Sequence, residues 1–131
     1  MLVFVYGTLT DPERVASVVE TFEFVGDATL VGLHRVDGRY PTLAPGGHTE
    51  GRLLETPDVG ALDSYEGVER GLYSRVPIPG DGTSEDEIAV YVGDPTKLDA
   101  TESISWPGDG PLESRIYQYV ENGMVRVRTN D

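Results

Sequence analysis

The sequence predicts an α+β domain whose sheet is a small, partly closed β-barrel. Three observations predict it. The chain starts with a run of five apolar residues, Leu2-Val3-Phe4-Val5-Tyr6, that does not alternate, the pattern of a strand buried on both faces. Shorter runs over 50–54, 73–78, 88–92 and 124–128 read as further strands. Helical signals over 11–22, 58–67 and 111–120 are interspersed among them. Strand spacing favours a barrel but leaves its closure open. No repeat and no linker divides the 131 residues, so the chain reads as one domain, 1–131, with 93–131 as a C-terminal extension.

The elements follow in order. The first strand runs into the turn Gly7-Thr8-Leu9-Thr10. Asp11 is an N-cap residue with Pro12 at the first helical position, and Val15, Val18, Val19 and Phe22 follow at helical spacing. Residues 24–36 read as extended, broken near Gly26 and Gly32. Residues 41–49 carry two prolines and two glycines and read as a loop before the Glu50–Leu54 strand. Asp58 can cap a short helix bearing Leu62 and Tyr65, packed inward, that ends near Gly67. Tyr73–Ile78 alternates, with Pro77 marking an edge or a bulge. Residues 80–87 form a polar hairpin loop leading to the Ile88–Val92 strand. Residues 93–111 are acidic and irregular, with Pro95, Pro107 and Pro111. A last helix starts at Pro111 with Leu112, Ile116, Tyr119 and Val120 inward, and Met124–Arg128 alternates as the final strand.

Composition narrows the function. The formal net charge is −13, from 23 acidic and ten basic residues of which only Lys97 is lysine. Such a chain repels nucleic acid and anionic membrane. The acidity fits either a basic partner or adaptation to high salt, and the dispersal of the acids favours the second. In molar salt the Debye length is roughly 3 Å, so this surface would still admit an anionic substrate. There are no cysteines, which excludes disulfides, thiolate catalysis and cysteine metal sites, and a cytoplasmic location is expected. No apolar run reaches the roughly 18 residues of a membrane span. The first run is also too short, and lacks the basic flank, for a signal peptide. His34 and His48 have no acid cluster at ligand spacing, so no metal is expected.

Two constellations can carry chemistry. At Tyr6-Gly7-Thr8-Leu9 a buried strand ends in a glycine turn that re-enters as a helix, which leaves N–H groups free to bind anionic or carbonyl oxygens. It is no nucleotide motif, since the further glycines of G-x-G-x-x-G and the lysine of a P-loop are missing. The second is Leu62-Asp63-Ser64-Tyr65-Glu66-Gly67, followed by Leu72-Tyr73-Ser74-Arg75. Glu66 stands at a helix end, where the dipole disfavours its charge, and partial burial would raise its pKa towards that of a general base. Composition alone does not separate Glu66 from Asp63 or Glu69.

Four motifs stand in a specific order: Val5-Tyr6-Gly7-Thr8-Leu9, Tyr40-Pro41-Thr42-Leu43, Glu50-Gly51-Arg52-Leu53-Leu54, and Leu62–Gly67 with Leu72–Arg75. Together they resemble the gamma-glutamylcyclotransferase-like family, nearest its AIG2-like branch. The resemblance runs from residue 2 to about 92; residues 93–131 match no part of the pattern. It implies a small mixed β-barrel with flanking helices. It implies an enzyme of intramolecular aminoacyl transfer that closes a γ-glutamyl group to 5-oxoproline and releases an amino acid or amine. Glu66 would be the general acid/base, and the backbone amides of Tyr6, Gly7, Thr8 and Leu9 would hold the substrate. Tyr40, Pro41, Tyr73 and Arg75 are the further candidate pocket residues, Arg75 as the partner of a substrate carboxylate. No metal or cofactor is needed, and the only partner implied is the small γ-glutamyl substrate. Two alternatives stay open: a γ-glutamylamine cyclotransferase, or a non-catalytic binding module for a small molecule or a protein. A monomer and a homodimer are equally compatible with the sequence.

Overall fold

The computed structural model describes residues 1–82, 87–123 and 125–130. Six strands close into a mixed barrel: β1 (Leu2–Val5), β2 (Glu23–Val36), β3 (Thr42–Glu55), β4 (Tyr73–Asp81), β5 (Glu87–Gly93) and β6 (Arg126–Thr129). Around the barrel they follow the order β1-β3-β2-β6-β4-β5. β1 pairs in parallel with β5, and β4 with β6, while the other pairs are antiparallel. Three α-helices flank it: α1 (Pro12–Val18), α2 (Val59–Glu66) and α3 (Leu112–Asn122).

The non-alternating run of β1 is explained by two cores. Leu2, Phe4 and Tyr6 point into the barrel, against Leu30, Leu53, Ile78 and Val90. Val3 and Val5 point outward, into a second core with Val15 of α1 and Leu62 of α2. A strand whose two faces both meet apolar layers has no polar face to show. Gly51 makes the β1–β3 approach possible, because a Cβ there would lie 2.3 Å from the Val5 carbonyl oxygen.

The extension is part of the barrel. β6 sits between β2 and β4 and completes the circuit. Trp106, Ile116 and Val120 pack into the inner core from α3 and the segment before it. The Tyr117 hydroxyl donates to the Arg75 carbonyl at 3.2 Å, so α3 lies along β4. Pro77, opposite Ala89 of β5, falls where β6 does not pair, since β4 meets β6 at Gly80 and Asp81.

Three expectations are corrected. Residues 41–49 are not a loop: Thr42–Pro45 pair with Val36–Leu33 of β2, and Gly46 and Gly47 form a bulge before His48 resumes the pairing at Val31. Both glycines have positive φ, +99° and +69°, so the turn signal marks a kink within one strand. The buried backbone of this segment finds its partners in β2, and this outweighs local turn preference. α1 ends at Val18, so Val19 and Phe22 lie beyond it, and Phe22 packs edge-on against Phe24 at 5.9 Å. Asp58 precedes α2 but does not cap it with its side chain; its carboxylate accepts from the Glu20 N–H at 3.2 Å and so ties α2 to the end of α1. The breaks expected at Gly26 and Gly32 are both register shifts of β2. Residues 83–86 of the expected hairpin loop and Met124 of the expected last strand lie outside the described residues.

Candidate active site

Parallel pairing brings the C-terminal ends of β1 and β5 to the same end of the barrel. The backbone after β1 turns there through a 3-10 turn, Thr8–Thr10, whose own bonds run from Thr10 N to the Gly7 carbonyl and from Asp11 N to the Thr8 carbonyl. Among the described residues, the turn's own bonds do not engage the N–H groups of Gly7, Thr8 and Leu9. Asp11 then caps α1 as expected, accepting from Glu13 N at 3.0 Å.

Two arginines hold the turn by its carbonyls. Arg35 of β2 donates to the Tyr6 oxygen at 2.9 Å, and Arg52 of β3 donates to the Thr10 oxygen at 2.9 Å. The Tyr6 carbonyl shares its peptide unit with the Gly7 N–H. A cation on the oxygen therefore makes that N–H a stronger donor. Arg52 also lies over the Phe24 ring, 3.8 Å from its centroid.

The turn lines a cavity of about 380 Å³. Glu66 lines it as well, as the last residue of α2 before Gly67, which caps the helix in the left-handed region at φ 71°. Burial raises the Glu66 carboxyl from its ordinary value to about 7. The negative end of the helix dipole acts in the same direction. The third wall holds Tyr6, Tyr73 and Tyr91. Burial pushes all three hydroxyls above the usual tyrosine range, helped at Tyr6 by Tyr73, at Tyr73 by the Glu66 charge and at Tyr91 by its hydrogen bond to Asp63, so they stay protonated. Their hydrogens are spent on fixed partners: Tyr6 donates to the Tyr91 carbonyl at 2.6 Å, Tyr73 to the Pro41 carbonyl at 2.5 Å, and Tyr91 to Asp63 at 2.7 Å.

Of the residues singled out in the sequence, Tyr6, Gly7, Thr8, Leu9, Tyr40, Pro41, Glu66 and Tyr73 all line this one cavity. Arg75 does not; its guanidinium lies 3.5 Å from Asp63, behind Tyr91. Alternation of β4 turns Tyr73 and Arg75 the same way, but Asp63 intercepts the longer side chain. Sequence reasoning missed Tyr65, which is only partly buried. Its hydroxyl lies 2.8 Å from the Thr8 hydroxyl and accepts from Arg14 at 3.3 Å. It missed Tyr91 too, whose signal was a single polar tip in the apolar run Ile88–Val92. Arg14, Arg39 and Arg70, at the rim, gave no signal at all because each belongs to a different exposed segment. Among the described residues no group of acids and histidines could hold a metal ion. No helix among them is long and apolar enough to cross a membrane.

The family model described as "Gamma-glutamyl cyclotransferase, AIG2-like" matches residues 3–108, past the end of the motif resemblance near residue 92. A solved structure named gamma-glutamyl cyclotransferase is 18% identical, with a TM-score of 0.58, and the match covers 90% of this chain and 98% of that one. A human protein described as uncharacterized is 19% identical, with a TM-score of 0.61, over 89% of this chain and 97% of its own. An uncharacterized protein from Pyrococcus horikoshii is 16% identical, with a TM-score of 0.56, over 95% of each chain. At such identities the likeness is one of fold. No curated protein matches the sequence.

Proposed function

The chain belongs to the gamma-glutamyl cyclotransferase, AIG2-like family, and from that premise we propose that it converts a γ-glutamyl compound to 5-oxoproline, releasing the amine or amino acid. The observation that carries this reading is that the turn after β1 and a carboxyl group raised to about 7 face one cavity.

The chemistry follows from the two parts. A γ-glutamyl group holds an α-ammonium and a γ-amide carbonyl carbon separated by three carbons, so joining them makes a five-membered ring. Once the amine loses a proton, its nitrogen attacks the carbonyl carbon and closes a lactam. Ring closure is intramolecular, so holding the chain folded supplies much of the rate. Glu66, as the carboxylate, takes one ammonium proton and hands it to the leaving nitrogen as the old C–N bond breaks; the attacking nitrogen gives up its second proton as it becomes the lactam N–H, and the released amine takes that proton up as an ammonium. A group with pKa near 7 can both accept and return a proton at neutral pH, and such catalysis is worth about 10²–10⁴-fold. The carbonyl oxygen gains charge as the ring closes, and N–H groups of the Tyr6–Leu9 turn are the donors offered to it. Tyr6, Tyr73 and Tyr91 keep the wall neutral, and their hydroxyl hydrogens are already engaged.

The test is incubation with a panel of γ-glutamyl amino acids and γ-glutamyl amines, at high and low salt, with assay of 5-oxoproline. Product from wild type and none from Glu66→Gln is expected. Absence of product from every compound would move the assignment to a binding module on the same fold.

A further inference from the structure

The charges that line the cavity run against the charge of the molecule. The chain has 23 acidic and ten basic residues. Around the cavity this inverts: Glu66 is its one carboxylate among the described residues, against the guanidiniums of Arg14, Arg39 and Arg70. All three arginines are exposed, whereas Glu66, Tyr65, Tyr6, Tyr73 and Tyr91 are partly or fully buried, so the cations stand at the rim, beside the exposed Tyr40, and the acid lies deeper. They come from three separate segments, α1, the loop before β3 and the 3-10 turn Val68–Arg70, and therefore converge by the fold alone. The Arg70 guanidinium folds back over Gly67, 3.0 Å from where a Cβ on that glycine would stand. This brings it beside the residue that follows Glu66. Arg14 reaches the Tyr65 hydroxyl at 3.3 Å, and Arg39 pairs with Asp99 at 3.0 Å.

A γ-glutamyl compound has a fixed order along its length. Its glutamyl end must reach Glu66 and the turn, so the other end points outward to the rim. We propose that the rim arginines form an anion subsite for the leaving half of the substrate, so that this chain acts on γ-glutamyl amino acids or peptides with a free carboxylate in preference to γ-glutamyl amines. The proposal rests on the cyclotransferase reading of the same cavity. A neutral or cationic leaving group, such as an alkylamine or a lysine side chain, would meet these guanidiniums, of which Arg39 is already paired with Asp99, and would bring no anion of its own to them.

The test compares γ-glutamyl-alanine with γ-glutamyl-alaninamide, which share the glutamyl half and differ by the one carboxylate. Wild type should show the higher kcat/KM on the acid. Arg70→Gln should lower that selectivity about two- to five-fold, and Arg39→Gln/Arg70→Gln about tenfold, as expected for cations that remain solvated. The gain should shrink with added salt. Equal kcat/KM for acid and amide in wild type, or equal losses on both in the arginine variants, overturns the proposal. The same pair is titrated calorimetrically onto Glu66→Gln, which binds without turnover. Preference for the acid there, with no product from wild type, upholds the subsite and overturns the enzyme reading. Equal or undetectable binding of the two overturns the subsite.

Discussion

The hydroxyls of Thr8 and Tyr65 lie 2.8 Å apart and join the turn that ends β1 to the helix that ends in Glu66. Fifty-seven residues of chain separate the two. The bond sets the distance between the donors and the acid/base in the proposed reaction. A neutral hydrogen bond of this kind is worth about 0.5–1.5 kcal/mol. Thr8→Val and Tyr65→Phe are each expected to lower kcat/KM about three- to tenfold, with little change in melting temperature. If the bond is the reason, the double variant is no worse than the poorer single one. Additive losses in the kinetic cycle would refute the coupling.

Glu66 makes stability depend on pH in a defined direction. Its carboxyl is raised from 4.5 to about 7 in the folded chain, so folding favours the protonated form. That contribution is complete below pH 4.5 and is lost as pH rises towards 7. The loss is on the order of 3 kcal/mol from the linkage of pKa to free energy. Urea denaturation of wild type and Glu66→Gln over this window is expected to show wild type falling relative to the variant. Parallel curves would mean that the carboxyl is not raised. Turnover should follow the opposite course, rising through about pH 7 as the base form appears.

Arg35 is not among the residues that line the cavity, but it touches the peptide of the turn. Its bond to the Tyr6 carbonyl at 2.9 Å polarises the Gly7 N–H. Arg35→Met is expected to reduce kcat about tenfold, in line with one charge-assisted bond, while KM moves less. Arg35→Lys should recover part of the loss. A rise in KM alone would assign Arg35 to ground-state binding.

Gly51 and Gly60 give a paired test of packing. A Cβ on Gly51 would stand 2.3 Å from the Val5 oxygen and 2.6 Å from Phe4, both fixed by the barrel. Gly51→Ala is expected to cost about 1–3 kcal/mol or more by forcing β3 from β1. Gly60 of α2 has nothing within 4 Å of the same position. Gly60→Ala should stabilise by about 0.5–1 kcal/mol through helix propensity. Thermal melts of the two variants check both signs.

Much of the molecule was legible in the sequence. Local rules placed β1 from its unbroken apolar run, α1 from Asp11 and Pro12, the end of α2 from Gly67, and the inward face of α3 from Ile116 and Val120. These signals hold because a cap, a left-handed glycine or an apolar stripe acts over a few residues. The motif order identified the family, and with it the turn and Glu66 as candidates.

Tertiary structure decided the rest. Residues 42–45 became strand because β2 offered their backbone partners, which no local propensity encodes. Arg75 left the cavity because Asp63, twelve positions earlier, claimed its guanidinium. Tyr65 and Tyr91 entered the cavity wall, and Arg14, Arg39 and Arg70 met at its rim, only once the barrel had closed. Residues 93–131, silent in sequence motifs, proved to supply the strand that closes it. The sequence thus determined most of the elements through short-range chemistry, and its motif order singled out Glu66. The fold decided what that acid faces, because proximity between distant segments exists only after long-range backbone pairing has formed.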